Sequence, residues 1–152
     1  PSYDRPIFGA DVVVNSNNIS AGIVDLSPVG KHLPDSLISQ MRSLKVSKFT
    51  EPGKLPEWGF IFSPYVAFIR PVDFLEEKSF LELIDQYLSL LLSLLVKVQK
   101  DEINSLDAMC RLNYQKRYCL NQKRNDKTRR ILSKFFGSSW ADEYINKILF
   151  EC

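Results

Sequence analysis

A single histidine, His32, stands in the whole chain, set in a Pro-flanked loop, and no H-E-x-x-H occurs. A zinc-protease site is therefore excluded, and His32 reads as a solvated or lightly hydrogen-bonded loop residue. Cysteine is also scarce. Cys110, Cys119 and Cys152 make an odd number with no C-x-x-C spacing, which argues against a disulfide framework or a zinc site and for a reducing compartment. The six glycines form neither G-x-G-x-x-G nor G-x-x-x-x-G-K-[ST], and there is no G-x-S-x-G. Nucleotide-binding loops and the hydrolase elbow are thus absent. The longest apolar run, Leu88 to Val96, lies between Asp85 and Lys97 and has less than half of the roughly 20 residues a membrane span needs, so no membrane partner is expected. Pro1 stands where a start methionine would, with no signal pattern, so the 152 residues read as a processed piece or fragment that makes one domain over 1–152.

What the chain does have is unevenly placed charge. Between Arg111 and Lys134 nine Lys or Arg face one acid, Asp126, a local +8, and the rest must carry −6 to reach the total of +2. One face is therefore suited to an acidic partner or an anionic ligand. The charges lack the aromatic interleaving and recognition motif of a nucleic-acid-binding domain, so nucleic acid is not expected.

Ile7 to Asn15 and Ile19 to Leu26 are rich in β-branched residues and separated by Ser16-Asn17-Asn18, the pattern of an antiparallel hairpin. After Pro34-Asp35, the spacing of Leu37, Ile38, Met41 and Leu44 predicts a short helix. Phe60 to Ile69 resumes strand character, broken or bulged at Pro64. From Asp73 the period becomes helical: Phe80, Ile84, Tyr87, Leu91, Leu94 and Val98 form one stripe to about Lys100, widening toward a C-terminal half expected to be deeply buried. A helix from Ile103 to about Lys123 carries Leu106, Cys110, Tyr114 and Arg117 on one line. Asp126 sits where the N-cap of the next helix belongs, Gly137 ends that helix, and a last helix runs from Trp140 to Phe150. Strands first and helices afterwards argue an α+β sandwich with an antiparallel sheet.

Asp11 stands out because a carboxylate in an apolar strand faces either solvent or a partly dry cavity. Desolvation favours the neutral acid, the condition for giving up a proton near neutral pH. By alternation Asp11 shares a face with Ile7, Gly9 and Val13, and Gly9 leaves room for a ligand. Asp25 on the neighbouring strand reads as an exposed-face aspartate. Gln122, Asn125 and Lys127 either belong to an ordinary solvated helix start or converge on an anionic ligand there.

The strand IFGAD, the run ISAGIVDLSPV from Ile19, LPEWG at Leu55 to Gly59, IFS at Ile61 to Ser63, FIRP at Phe68 to Pro71, NDKTRR at Asn125 to Arg130 and WADEYINKILF at Trp140 to Phe150 resemble the ferredoxin-dependent bilin reductases. The similarity covers essentially the whole chain, in order. It implies a three-layer α/β/α sandwich with a central antiparallel sheet, and biliverdin held between sheet and C-terminal helices. No cofactor is bound permanently in such enzymes. Reduced [2Fe-2S] ferredoxin supplies electrons singly through bilin radicals, and protein acids and water supply protons. The function so implied is reduction of biliverdin to a phycobilin, phycocyanobilin in the first instance; the alternatives are another bilin product or a non-catalytic tetrapyrrole-binding module. A monomer is expected, in a cyanobacterial cytoplasm or an algal plastid stroma.

By position the resemblance makes Asp11 the central proton donor and places Asn125 and Asp126 as a helix-side catalytic pair. Ser20, Lys54, Gln122 and Lys127 become substrate-binding residues, with Lys127 and Lys54 facing bilin propionates. For ferredoxin docking the basic segment offers Lys116, Arg117, Lys123, Arg124, Arg129, Arg130 and Lys134. In the family a glutamate and a histidine that cooperate with the aspartate lie on strands before IFGAD. His32 is not at that histidine's position, so residues 1–152 correspond to a central and C-terminal portion of the family fold.

Overall fold

The computed structural model describes residues 5–16, 18–44, 49–96, 102 and 104–151. Asn17 of the hairpin turn, Val98 and the end of its helix, Ile103 and Cys152 lie outside them. Strand β1 (Ile7–Asn15) pairs antiparallel with β2 (Asn18–Ser27), and β2 pairs with the short β3 (Ala67–Ile69), giving the order β1-β2-β3 among the described residues. Asn15 opposes Asn18 across the hairpin, where Ser16 takes a positive φ of 57°. A register shift between Val13 and Val14 leaves Ser20 as the extra residue of a bulge.

Helices α1 (Asp35–Ser43), α2 (Phe74–Leu95), α3 (Leu106–Gln122), α4 (Asp126–Phe136) and α5 (Ser138–Glu143) complete the chain, with a π-helical turn (Tyr144–Leu149) continuing α5. Because side chains alternate across a strand, the cross-strand pairs divide the sheet into two faces. Phe8, Ala10, Gly22, Val24, Leu26, Ala67 and Ile69 share one; Gly9, Asp11, Ile23, Asp25, Ser27 and Phe68 share the other.

The first face holds the core, in which Val24, Leu26 and Ile69 pack with Leu33, Leu37, Met41, Phe80, Leu83 and Tyr87 of the α1–α2 layer. Gly22 is required there: a Cβ on it would lie 2.2 Å from Phe80 Cε1. Phe80 is fully buried and meets Phe49 edge-on at 6.3 Å. The apolar area it removes from water is worth about 1.5–3 kcal/mol. Helix α2 starts cleanly because Asp73 accepts from Glu76 N at 2.8 Å, an N-cap. Glu76 in turn accepts from Thr50 N, Thr50 Oγ1 and Val72 N, and these donors hold its carboxyl below the usual value.

The layered α+β reading stands, and four local expectations need correction. Strand character in Phe60 to Ile69 survives only in Ala67–Ile69; Glu57–Ile61 is a 3₁₀ turn, and Pro64 follows Ser63, which is drawn onto Asp25. The C-terminal half of α2 is not deeply buried: Leu88, Leu92 and Val96 are 38%, 54% and 88% exposed, and Leu90, Leu91 and Leu94 are only half-buried against a core whose buried α2 members are Phe80, Leu83 and Tyr87. On α3 the buried side chains are Tyr118 and Asn121 rather than the line through Leu106 and Arg117. Asn125, not Asp126, caps α4; its Oδ1 accepts from Thr128 N at 3.3 Å and Asp126 is the first helical residue. Gly137 ends α4 as expected, at a positive φ of 86°.

Candidate functional site on the second sheet face

The second face carries two acids in contrasting surroundings. Asp11, paired with Ile23 at the open end of β1, is exposed. Asp25, opposite Gly9, is 1% exposed. The two are diagonal neighbours, so their Cα atoms lie roughly 7–8 Å apart.

Asp25 is covered because α3 and the loop before β3 close over this part of the face. Ser27 Oγ donates to its Oδ2 at 2.6 Å, Ser63 N to the same oxygen at 2.8 Å, and Ser63 Oγ to Oδ1 at 2.5 Å. Burial pushes the carboxyl above its ordinary value, and these donors oppose the shift. Tyr87, on the opposite side of the sheet, donates to Tyr65 O at 2.6 Å, and burial together with the Asp25 charge pushes its phenol up to about 12.

Tyr118 brings α3 to the face. Its ring meets Phe62 edge-on at 6.5 Å, and its hydroxyl lies 3.2 Å from the point a Gly9 side chain would occupy, so Gly9 makes the approach possible. Gln122 Nε2, one turn on, donates to Tyr118 Oη at 2.9 Å. Beside this contact lies a cavity of about 450 Å³, lined by Tyr118, Tyr114, Phe60 and Phe62 and rimmed by Arg42 and Arg117. His32, Leu33 and Ile38 line its other side, and none of Gly9, Asp11, Ile23, Asp25, Ser27, Phe68 or Asn125 lines it.

The remaining sequence-derived site residues are scattered around this centre. Ser20 is exposed and donates to Val13 O at 3.0 Å, while Lys54 is exposed in the loop beyond the Pro52–Ile69 bridge. Gln122 ends α3 and half-buried Asn125 caps α4 three residues later; Asp126 and Lys127 are exposed in the first turn of α4. Of the basic residues, Lys116 and Lys134 are exposed, and Arg117 lies over the rings of Tyr114 and Phe60 at 4.7 and 5.8 Å. Arg124 donates to Asn121 Oδ1 and Arg130 to Asp126 O, each at 3.3 Å, while Arg129 pairs with Asp142 of α5 and Lys123 is half-buried. Residue-by-residue reading missed Asp25, Ser27, Ser63 and Tyr118 as a unit. The available signal was that Asp25 shares the alternation of Asp11 one strand away.

Among the described residues a three-stranded antiparallel sheet with helices on both faces, one face apolar and the other bearing an open acid beside a buried polar cluster, defines an α/β/α sandwich. The family model described as ferredoxin-dependent bilin reductase matches residues 1–151. The chain belongs to that family, which is enzymatic. It is 48% identical over 151 residues to a phycocyanobilin:ferredoxin oxidoreductase of Prochlorococcus marinus (strain MIT 9313), covering 99% of this chain and 57% of that relative. It is 45% identical over 152 residues to the enzyme of the same name from Synechococcus sp. (strain CC9605), covering 99% and 62%. The chain thus spans less than two thirds of these relatives' length. Among solved structures, phytochromobilin synthase from tomato in complex with biliverdin has the same fold, with TM-score 0.78 and 22% identity over 98% of this chain and 56% of that one.

Proposed function

We propose that this chain supplies the sheet face and C-terminal helices of a biliverdin site, in an enzyme that reduces biliverdin to phycocyanobilin with electrons from ferredoxin. Family membership and the names of the relatives support the reaction, and their cyanobacterial origin suggests a cyanobacterial cytoplasm or a plastid stroma. The observation that carries the reading is Asp11: an exposed carboxyl at the open end of a sheet face whose other end is closed by Tyr118. A flat tetrapyrrole laid on that face would cover the carboxyl and take it out of water.

In this scheme electrons arrive one at a time through radical intermediates, and Asp11 gives a proton to the reduced tetrapyrrole. Asn125 and Asp126 border the ring from the start of α4. Lys127 and Lys54 pair with its propionates, a charge-assisted contact that a long exposed lysine can reach. Ser20 and Gln122 line the remaining edge. In the full-length protein Asp11→Asn should retain biliverdin binding and slow reduction by at least about 100-fold, the lower size of a general-acid effect. Unchanged turnover would remove Asp11 from the mechanism, and chromatography of the product separates phycocyanobilin from other bilins.

A further inference from the structure

The cavity bounded by α1, the loop before β3 and α3 carries charge of one sign. At about 450 Å³ it falls within the roughly 300–1,000 Å³ of small-molecule sites, and its lining includes Arg42, Arg117, Lys31 and His32 but no aspartate or glutamate. Neither arginine forms an ion pair among the described residues. A cleft lined by one sign of charge concentrates ions of the other.

The lining is also aromatic, and the arginines are tied to it. Arg42 of α1 donates through Nε to Tyr65 Oη at 3.0 Å. Tyr65 is fixed in turn, its N donating to Ser63 Oγ at 3.0 Å and its O accepting from Tyr87 at 2.6 Å. Arg117 of α3 lies over the rings of Tyr114 at 4.7 Å and Phe60 at 5.8 Å. Stacking uses the face of a guanidinium and the Tyr65 contact uses one N–H, so both arginines keep in-plane donors in the fork that fits a carboxylate or a phosphate. Holding the two heads beforehand lowers the ordering cost of binding. Between them in sequence, Phe60 is 61% exposed at the cavity, a ring that a flat ligand would cover. The cavity is separate from the second sheet face, whose strand side chains do not line it; only Tyr118, which approaches Gly9, borders both.

We propose that this cavity is a second ligand site, which takes a small flat aromatic oxyanion, a carboxylate or phosphate carried on one or two rings. Arg42 and Arg117 hold the head group, and Phe60, Phe62 and Tyr114 cover the body. The site stands on its own residues and does not depend on the biliverdin reading. The same arginine contacts also tie the loop to α1 and α3, and the experiment separates that role from binding.

The full-length protein is titrated by calorimetry with naphthoate, naphthyl phosphate and uncharged naphthol, with and without saturating biliverdin. One of the anions should bind at a single site, with naphthol at least about tenfold weaker, the scale of a lost charge-assisted hydrogen bond. The tighter anion identifies the head group. Arg42→Gln and Arg117→Gln should each weaken that anion about ten- to a hundredfold while leaving the affinity for naphthol at the parent's value. Equal losses for anion and naphthol would mean that the arginines only hold the loop, and an anion bound as tightly by both variants as by the parent sits elsewhere; either result overturns the site, as does a parent that prefers naphthol or binds none of the three. Biliverdin should leave the anion's affinity unchanged, and displacement by biliverdin overturns a separate site. If the parent binds no biliverdin, the functional reading fails and the titrations without it still decide this one. Where a glutamine variant does not fold, crystals of the parent soaked in bromonaphthoate replace it: bromine density in the cavity supports the site, and density elsewhere or none overturns it.

Discussion

At the scale of the residue, a carboxylate withdrawn from water persists only where donors replace the solvent, and Asp25 has those donors from two serines, while Asp11 keeps water. The contrast has a measurable consequence. Burial raises the folded Asp25 carboxyl above the 3.8 of an unperturbed aspartate, so as pH rises from about 3.8 the unfolded chain loses its proton first. Stability from this group is full below that value and declines until the folded carboxyl titrates too. Glu76, held low by Thr50, acts in the opposite sense, its contribution being lost as pH falls. Urea unfolding of the parent and Asp25→Asn across this range should show the parent's advantage shrinking as pH rises through the window. A constant difference would mean that Asp25 does not titrate with folding. Asp11 and Asp25 were both legible as acids in apolar strands; their common face comes from the pairing of Gly9 with Asp25, and the expectation of an exposed Asp25 was wrong. Which one is dry was not legible, because the lid comes from Ser63 and Tyr118, far along the chain, and strand periodicity carries no information about what packs above it.

At the scale of the element, patterns with a local cause were readable and those set by distant partners were not. The hairpin, the helix after Pro34 and the stop at Gly137 depend on alternation, proline and a positive φ, all written within a few residues. Strand β3 is short because Ser63 is captured by Asp25 from another element, and the end of α2 is exposed because apolar periodicity does not say how far the sheet extends beneath it. The α4 start is intermediate. Asn and Asp both cap helices, and the turn Asn125 N to Gln122 O at 3.0 Å closes one residue earlier than composition suggests, leaving Asn125 with the non-helical ψ of 85°. Asn125→Ala should then cost about 1 kcal/mol of stability, whereas Asp126→Ala should lose only the macrodipole contribution of about 0.3–1 kcal/mol. Thermal or urea unfolding of the two variants ranks them, and the reverse order would return the cap to Asp126. If the α4 start borders the tetrapyrrole as proposed, both variants also weaken reduction beyond what their stability loss explains.

At the scale of the whole molecule, near-neutral total charge conceals a basic segment of +8 over residues 111–134, carried by the end of α3 and by α4. Its members are not equivalent. Arg129 ties α4 to Asp142 of α5, Arg117 lies over Tyr114 and Phe60, and Arg124 bonds Asn121, so these partly hold the helices together. Lys116 and Lys134 are exposed, and Arg130 is exposed with its Nε bonded only to its own helix carbonyl among the described contacts. A basic face of this kind accelerates encounter with an acidic electron donor, an effect that fades as the Debye length falls from about 10 Å at 0.1 M salt to about 3 Å at 1 M. On the proposed function, paired charge reversal of Lys116 with Lys134, or of Arg130 with Lys134, in the full-length protein should therefore weaken the dependence of bilin reduction on ferredoxin concentration and flatten its salt response. Biliverdin affinity should stay at the parent's value. Reversal at Arg129 should lower stability first, since it sets two acids against each other between α4 and α5. If the exposed pairs leave the ferredoxin dependence unchanged, or if biliverdin affinity alone suffers, the basic segment serves the ligand and the electron donor docks on another surface.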